Sequence, residues 1–176
     1  MSIFESKKFL ITQVESETDI DRNSCENWTA SLLLFTDLNI LYSFENFINF
    51  CTKKENRVFL IKDREQTSIV YGIIGLRYID LIQKKAELVI IMDENSRKKK
   101  LFYEPLKLIL KKVFEDWNFR VITTFLYKDD VFTPVMLKGF GFQPAGTYKE
   151  FIQVKDEYKD VDSFYLVNKN FHIVNL

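Results

Sequence analysis

Residues 86–117 constrain the fold of this chain more than any other stretch. They read as an apolar strand, then a basic turn with three consecutive lysines at 98–100, then an amphipathic helix that ends near Trp117. Unbonded amides at a helix start, together with the helix dipole, favour an anion. This order of elements therefore predicts an anion site at the turn, although the turn has no glycine that would let the backbone approach a ligand closely.

The helix after the turn has a clear two-sided pattern. Its apolar residues recur at helical spacing, and charged residues occupy the opposite side. Because proline is tolerated in the first turn of a helix but not inside it, Pro105 predicts a start near Tyr103 or Glu104. The residues expected on the buried side are Leu106, Ile109, Leu110, Val113, Phe114 and Trp117.

Shorter patterns before and after this stretch complete the chain. Apolar runs predict strands, and apolar residues three or four apart predict helices. Their order predicts an α/β protein with a mixed, mostly antiparallel central sheet flanked by helices. The expected strands cover residues 8–14, 57–62, 68–79, 85–92, 120–127, 147–154 and 161–167, and the other helices cover 19–42, 43–51 and 130–138.

Composition narrows the class of protein. At 176 residues, 47% of them apolar, the chain is expected to form one domain over residues 1–176, with 168–176 as a C-terminal tail. The 25 basic and 25 acidic residues balance, so no net field favours nucleic acid or an anionic membrane. Residues 1–9 lack an apolar signal core, and no run reaches the roughly 18 apolar residues of a membrane span. We therefore expect a cytoplasmic protein.

The chain has few residues that bind zinc or form covalent intermediates. Cys25 and Cys51 are its two cysteines, and His172, near the C-terminus, is its one histidine. Their spacing matches no metal-binding pattern. We expect two free thiols in a reducing compartment, no metal, and no Cys–His nucleophile pair.

A set of spaced residues between positions 57 and 167 carries a family resemblance. These residues are Gly72 and Gly75 in the strand YGIIGLRYID, then Ala86, Glu87, Leu88, Asp93, Arg97, Phe114, Gly141, Phe142, Gly146, Tyr148, Lys149, Glu150, Tyr158, Lys159, Asp160, Val161 and Tyr165. In this order and spacing the chain resembles the GNAT superfamily of N-acetyltransferases, and within it the ribosomal-protein-type branch. The resemblance implies the acyl-CoA N-acyltransferase fold, with acetyl-CoA as co-substrate.

In that family the amides of the turn Arg/Gln-x-x-Gly-x-Gly/Ala hold the coenzyme A pyrophosphate. Here lysine and phenylalanine replace the two small residues. Two interpretations stay open: charged side chains replace part of the amide cradle, or the turn is solvated and no longer holds a nucleotide. The six residues at the family's turn are Arg97, Lys98, Lys99, Lys100, Leu101 and Phe102.

The resemblance also implies how the strand before the turn would act. Its backbone would bind the pantetheine arm and thioester carbonyl through Leu88, Ile90, Ile91 and Met92. Glu87, at the start of this strand, is then the candidate general base, directly or through water. The alternative is a solvent-facing carboxylate at a strand end.

Further along the chain, the resemblance places two residues less favourably. Asp130 falls where the family has an asparagine near the pantetheine, and Leu137 falls where a tyrosine often acts as general acid. Leucine cannot donate a proton, although this branch commonly lacks the tyrosine. Asp130 is kept as a candidate cofactor-binding residue, with a carboxylate in place of the amide.

Five residues are candidates for the acceptor pocket: Tyr71, Tyr78, Asp80, Tyr148 and Tyr165. Tyrosine in a strand more often packs against its neighbours, and Asp80 fits a turn equally well. These alternatives remain open.

The resulting hypothesis is an acyl-CoA-dependent N-acetyltransferase in which a primary amine attacks directly within a ternary complex. The acceptor could be a small amine, an amino sugar or a protein N-terminus, and a homodimer is possible. The alternative is a catalytically silent acetyltransferase-like module that acts as a binding or assembly partner. A third hypothesis is that the basic turn binds a different anion, such as the phosphopantetheine of a carrier protein or RNA, and the balanced charge disfavours RNA.

Overall fold

A computed structural model of the chain describes residues 3–23, 44–92, 94–128, 130, 133–154 and 156–170. Four helices are described: α1 (Phe44–Thr52), α2 (Glu94–Lys98), α3 (Tyr103–Glu115) and α4 (Thr133–Gly139). A 3-10 turn covers Glu17–Asp19. The described strands are β1 (Ile3–Glu5), β2 (Phe9–Gln13), β3 (Arg57–Asp63), β4 (Val70–Asp80), β5 (Lys85–Met92), β6 (Val121–Tyr127), β7 (Gln143–Val154) and β8 (Glu157–Val167).

The eight described strands form one sheet in the order β1-β2-β3-β4-β5-β6-β8-β7. All neighbours pair antiparallel except β5 and β6, which run parallel. A parallel pair requires a crossover connection, which α2 and α3 provide. The predicted mixed, mostly antiparallel sheet flanked by helices is confirmed.

The two faces of the sheet bury separate clusters of apolar side chains. On the α3 face, Leu88 and Ile90 of β5 pack with Leu106, Ile109 and Val113 of α3. On the other face, which we call the α1 face, alternate strand residues such as Val89 and Ile91 pack with Phe47 and Phe50. Side chains alternate between the two faces along a strand. In β5, even-numbered residues therefore face α3, and odd-numbered residues face α1.

Most predicted elements are confirmed with small shifts at their ends. The fifth strand has the predicted bounds, and α3 begins at Tyr103, as Pro105 indicated. In α3, Leu106, Ile109, Leu110 and Val113 are buried as predicted, and the side chains of Phe114 and Trp117 are half-buried.

Other sequence predictions need correction. The short edge strand β1 was not predicted, and the basic turn before α3 contains the short helix α2. The last two strands are longer than expected: β7 already begins at Gln143, and β8 begins at Glu157 because the hairpin that joins them is tight, with Val154 paired to Glu157. Most of the predicted helix over residues 19–42 lies outside the described residues. The same is true of Cys25, Asp93 and His172.

Candidate active site

The strands β5 and β6 pair for only three positions and then separate. Their register runs from Lys85–Val121 to Glu87–Thr123 within the described residues. Beyond that point the hydroxyl of Thr124 donates a 2.9 Å hydrogen bond to the carbonyl of Leu88. Since backbone groups alternate in direction along a strand, the amide and carbonyl of Ile90 point toward β6 as well. We call this opening the strand gap, and Glu87 and Thr123 form its apex.

The strand gap passes through the sheet from one face to the other. A crevice within it is lined by residues of both faces, with α4 covering the α3 side. A second crevice continues from Ile90 toward the turn before α3, between Phe102 and Met136. Each of these crevices has a volume of about 10 Å³, which is room for about one water molecule. The path is therefore present but narrow.

Glu87 lies at the apex with its side chain buried rather than facing solvent. Glu87 is two residues before Val89 on β5, so its side chain projects from the same α1 face. It is paired there with Arg77 of β4. Arg77 donates to Glu87 Oε1 from Nε at 2.8 Å and from a terminal nitrogen at 2.5 Å. Both side chains are 8% exposed. The strand register thus places a charge-assisted pair at the apex.

A row of polar side chains crosses the sheet at the level of Glu87. Directly paired residues on neighbouring strands project from the same face. The register therefore aligns Arg77, Glu87, Thr123, Tyr165 and Gln143 on the α1 face across five strands. The sequence analysis missed Arg77 and Thr123, because nothing in the local pattern shows which strands become neighbours.

The turn between α2 and α3 uses most of its amides internally. The amides of Lys99, Lys100 and Leu101 donate to carbonyls of α2, and the amide of Tyr103 donates to Lys100. Leu106 donates to Phe102, and Pro105 has no N–H. Within the described turn and first helical turn, only the amides of Phe102 and Glu104 lie outside this backbone network.

Lys100 and Phe102, at the positions where the resemblance implies small residues, differ in burial. Lys100 adopts a left-handed backbone conformation with φ of +56°, the region that favours glycine. Its side chain is exposed, as are those of Lys98 and Lys99. Phe102 is 7% exposed and packs in the apolar cluster of the α3 face. The ring of Phe102 therefore occupies the space beside the crevice, between the strand gap and the lysines.

Asp130 lies close to the strand gap but serves as a helix cap. Its carboxylate accepts hydrogen bonds from the amide of Thr133, at 3.0 Å, and from the Thr133 hydroxyl. Such a side chain satisfies an unbonded amide at a helix start. Leu137, one turn further along α4, is buried against the gap.

The five candidate acceptor residues lie in three separate places. Tyr71 and Tyr78 are seven residues apart on β4, about 23 Å in an extended strand. Tyr148 lies on β7 and contacts Phe125 and Phe151, with ring centroids 5.9 and 4.9 Å away. Phe125 belongs to the strand gap, so Tyr148 lies near the apex on the α1 face, where Tyr165 is paired with Thr123.

Tyr71 forms a polar pair at the far end of β4. Its hydroxyl donates a 2.7 Å hydrogen bond to Asp63. This bond raises the pKa of Tyr71 to about 12, with burial and the negative charge of Asp63 acting in the same direction. The same bond lowers the pKa of Asp63, helped by the backbone amide of Gln66. Tyr71 is therefore stabilised as a neutral phenol.

Tyr78 and Asp80 line an open cleft of about 850 Å³ between the β4–β5 hairpin and the end of α1. Arg77 lines it too, with its guanidinium 4.9 Å from the ring centroid of Tyr78. The carboxylate of Asp80 accepts hydrogen bonds from the amides of Ile82 and Gln83. Asp80 thus holds the hairpin turn, and Tyr78 is 67% exposed at its edge.

The site fits one part of coenzyme A, the thioester arm, better than the other, the diphosphate. The strand gap and the Ile90 backbone that points into it suit an uncharged thioester arm once the side chains beside the crevices move. The turn does not form an amide cradle for a diphosphate, because most of its amides bond internally. No group of three or more metal-ligating side chains, and no helix long and apolar enough to cross a membrane, occurs among the described residues.

Comparisons with known proteins place the chain in a family. The profile of the acetyltransferase (GNAT) domain matches residues 23–162, while no curated protein matches the chain. The fold is similar to that of ribosomal-protein-S5-alanine acetyltransferase from Vibrio fischeri, with TM-score 0.80 and 11% identity over 98% of this chain and 100% of that one. It is also similar to spermidine/spermine N-acetyltransferase SpeG from Vibrio cholerae, with TM-score 0.70 and 16% identity over 93% of this chain and 95% of that one. The sequence resemblance is confirmed: this chain belongs to the GNAT acetyltransferase family.

Proposed function

We propose that the protein is an N-acetyltransferase that transfers an acetyl group from a pantetheine thioester to a primary amine by direct attack in a ternary complex. The observation that carries this proposal is the strand gap with Glu87 at its apex, in a chain of the GNAT family. Acetyl-CoA is the co-substrate of that family and the first donor to test.

On the donor side, the strand backbone has the central role. The N–H of Ile90 points toward the gap and could donate to the thioester carbonyl oxygen as negative charge develops there. The carbonyl of Leu88 is already bonded to Thr124, which keeps the edge of β5 in place. The arm would follow β5 from Met92 to Leu88, a path of about 13 Å.

On the acceptor side, Glu87 is the proposed general base. Arg77 holds its Oε1 atom and so orients the carboxylate on the α1 face. The amine nitrogen bonds to the carbonyl carbon and the carbon–sulfur bond breaks. The proton lost by the amine passes to Glu87, directly or through water, and the thiolate is protonated from solvent.

The aromatic residues beside the apex suit a cationic acceptor. Phe125, Tyr148 and Phe151 form one cluster on the α1 face, and Phe151 is 55% exposed. Aromatic faces attract ammonium groups. One similar structure is named for ribosomal protein S5 and alanine, the other for spermidine and spermine. Spermidine and a peptide with N-terminal alanine are therefore suitable acceptors to test, with an amino sugar as the third.

The test combines donor binding with transfer. Thermal unfolding is measured with acetyl-CoA and with acetylpantetheine, since a ligand at 100 times its dissociation constant should add about 2.7 kcal/mol to stability. Acetylation of the three acceptors is followed by mass spectrometry. If neither thioester binds at millimolar concentration and no acceptor is acetylated from any pantetheine thioester, free or carried by a protein, the proposal is wrong.

Two variants assign the roles. Glu87→Gln should slow transfer most at low pH, where deprotonation of the amine is hardest, while Glu65→Gln on the exposed β3–β4 turn should not. An unchanged pH profile in Glu87→Gln would remove Glu87 from the base role. Phe102→Gly should tighten thioester binding if the ring obstructs the crevice, and unchanged or weaker binding would show that it does not.

A second candidate function is the catalytically silent module. Burial of Phe102 beside the narrow crevice favours it, because the ring fills space that the family keeps for the donor. This candidate predicts that neither wild type nor Phe102→Gly binds a thioester. Binding by either protein would contradict it.

A further inference from the structure

The side chains around the α2–α3 turn form a cationic surface with an apolar centre. We define the turn surface as Lys98, Lys99, Lys100, Tyr103, Val135 and Lys138, all exposed. Tyr103 of α3 packs on Phe140, just after α4, with ring centroids 4.5 Å apart, so the turn and α4 lie side by side. Glu104 contributes a carboxylate beside Tyr103.

This surface lies at the outer end of the path to the strand gap. Phe102 and Met136 line the crevice that leads inward to Ile90, and each is a sequence neighbour of a turn-surface residue. A thioester arm that enters here would have its phosphate end at the lysines. The surface and the path therefore suit one ligand that has both an arm and an anionic outer part.

The backbone argues against a free nucleotide as that outer part. A diphosphate cradle needs several convergent amides, and the turn leaves only those of Phe102 and Glu104 outside its own network. Lysine side chains, by contrast, act as mobile point charges that suit a dispersed anionic surface. Val135, 71% exposed, and Tyr103, 46% exposed, add apolar area of the kind found at protein interfaces.

From this we infer that the acyl donor is presented to the turn surface by an acidic carrier protein, which bears the pantetheine arm on a single phosphodiester. This inference rests on the proposed acetyl transfer. The carrier's carboxylates would face the lysines, its apolar residues would contact Val135 and Tyr103, and the arm would enter beside Phe102. Charge complementarity of this kind raises the rate of association and selects the partner.

The test compares three donors in the same transfer assay: acetyl-CoA, acetylpantetheine and an acidic acyl carrier protein loaded with an acetyl group. We expect kcat/KM for the loaded carrier to exceed that for acetyl-CoA by about tenfold and to fall steeply with added salt. Acetylpantetheine should show little dependence on salt, because it is uncharged.

Charge reversal locates the effect. Replacing Lys98, Lys99 and Lys100 together by glutamate should lower kcat/KM for the loaded carrier by about tenfold or more and leave that for acetylpantetheine unchanged. The matched control reverses three other exposed lysines, Lys7 and Lys8 between β1 and β2 and Lys54 after α1, and should have little effect. Circular dichroism spectra confirm that each variant is folded.

The outcomes separate this inference from the proposed function. Transfer from acetyl-CoA at a rate equal to or above that from the carrier would overturn the carrier inference and leave acetyl transfer standing. Equal use of the carrier by wild type and by the lysine-reversal variant would do the same. Failure of all three donors to bind or react would overturn the proposed function itself.

Discussion

The two ends of β5 handle charge in opposite ways. At the start of the strand, Glu87 is buried and its charge is met by Arg77 from the neighbouring strand. Beyond its end, the charges of Lys98, Lys99 and Lys100 are exposed, and the backbone around them bonds mainly to itself. The position of Glu87 is fixed by strand pairing, whereas the arrangement of the basic turn is fixed by a few residues of one loop.

This difference has a physical reason. Strand register is set by many contacts at once, so a single substitution rarely changes it. An amide cradle depends on a few residues without side chains, which let the backbone approach a ligand closely. Side chains such as those of Lys100 and Phe102 are enough to prevent that approach. The following predictions probe each end, from the largest expected effect to the smallest.

The buried pair at the apex should be the most sensitive point. Glu87→Ala leaves the Arg77 charge buried without its partner carboxylate, so the free energy of unfolding should fall by about 3–5 kcal/mol in urea denaturation. The double variant Arg77→Met with Glu87→Leu should recover most of that loss. Lys111→Ala, which breaks the exposed pair with Glu115, should cost under about 0.5 kcal/mol. A loss below about 1 kcal/mol in Glu87→Ala would show that water solvates the pair.

At the other end, Gly72 holds β4 close to β5. Its φ is +155°, and an added Cβ would lie 2.3 Å from the carbonyl oxygen of Ile91 and 2.8 Å from Met92 Cγ. Gly72→Ala should therefore lower the unfolding free energy by about 2–4 kcal/mol.

Gly146→Ala is the matched control for Gly72. Its φ of +157° is similar, but no described residue lies within 4 Å of the added Cβ. Gly146→Ala should lower the unfolding free energy only through backbone strain, by about 1 kcal/mol. Equal losses in the two variants would show that strain, and not contact with β5, explains Gly72.

The left-handed conformation of Lys100 gives a smaller prediction. Lys100→Gly should be neutral or stabilising by about 0.5 kcal/mol, because relief of strain exceeds the added entropy of the unfolded chain. Lys99→Gly should destabilise by about 0.5–1 kcal/mol, because Lys99 has no positive φ to relieve. Thermal unfolding of the two variants, which lose the same charge, checks this. The reverse ranking would contradict the conformation of the turn.

The smallest expected effect is on the pH dependence of stability, through the hydrogen-bonded pair of Tyr71 and Asp63. Because the pKa of Tyr71 is raised to about 12, its contribution to stability is present below pH 10 and is lost as pH rises through 12. Asp63, with a lowered pKa, contributes above about pH 4 and loses its contribution as pH falls through its folded pKa.

Tyr71→Phe should therefore raise the pKa of Asp63, measured by NMR, and remove the phenolate absorbance step near pH 12. Tyr158→Phe, a change on the distant β8, should leave the Asp63 signal unchanged. If Tyr71 instead binds the acceptor, Tyr71→Phe will raise the KM for the amine.

Local patterns were sufficient for much of the fold. The apolar run predicted both bounds of β5, and the proline predicted the start of α3, which ends at Glu115, slightly before the predicted end near Trp117. The short helix α2 was missed because five polar residues have no apolar periodicity to reveal them. Tyr148 and Tyr165 were the acceptor candidates placed near the apex, because the hairpin of β7 and β8 lies beside β6 and brings Tyr148 to Phe125 and Tyr165 to Thr123.

The amino-acid order by itself determined the family, the succession of strands and helices, and the density of cations after β5, since each depends on neighbours along the chain. Only the tertiary structure decided that Glu87 meets Arg77 inside the sheet and that the amides of the basic turn bond to their own backbone. Both depend on the path of the chain in space: strand register brings Arg77 to Glu87, and the helical turn of α2 directs those amides inward.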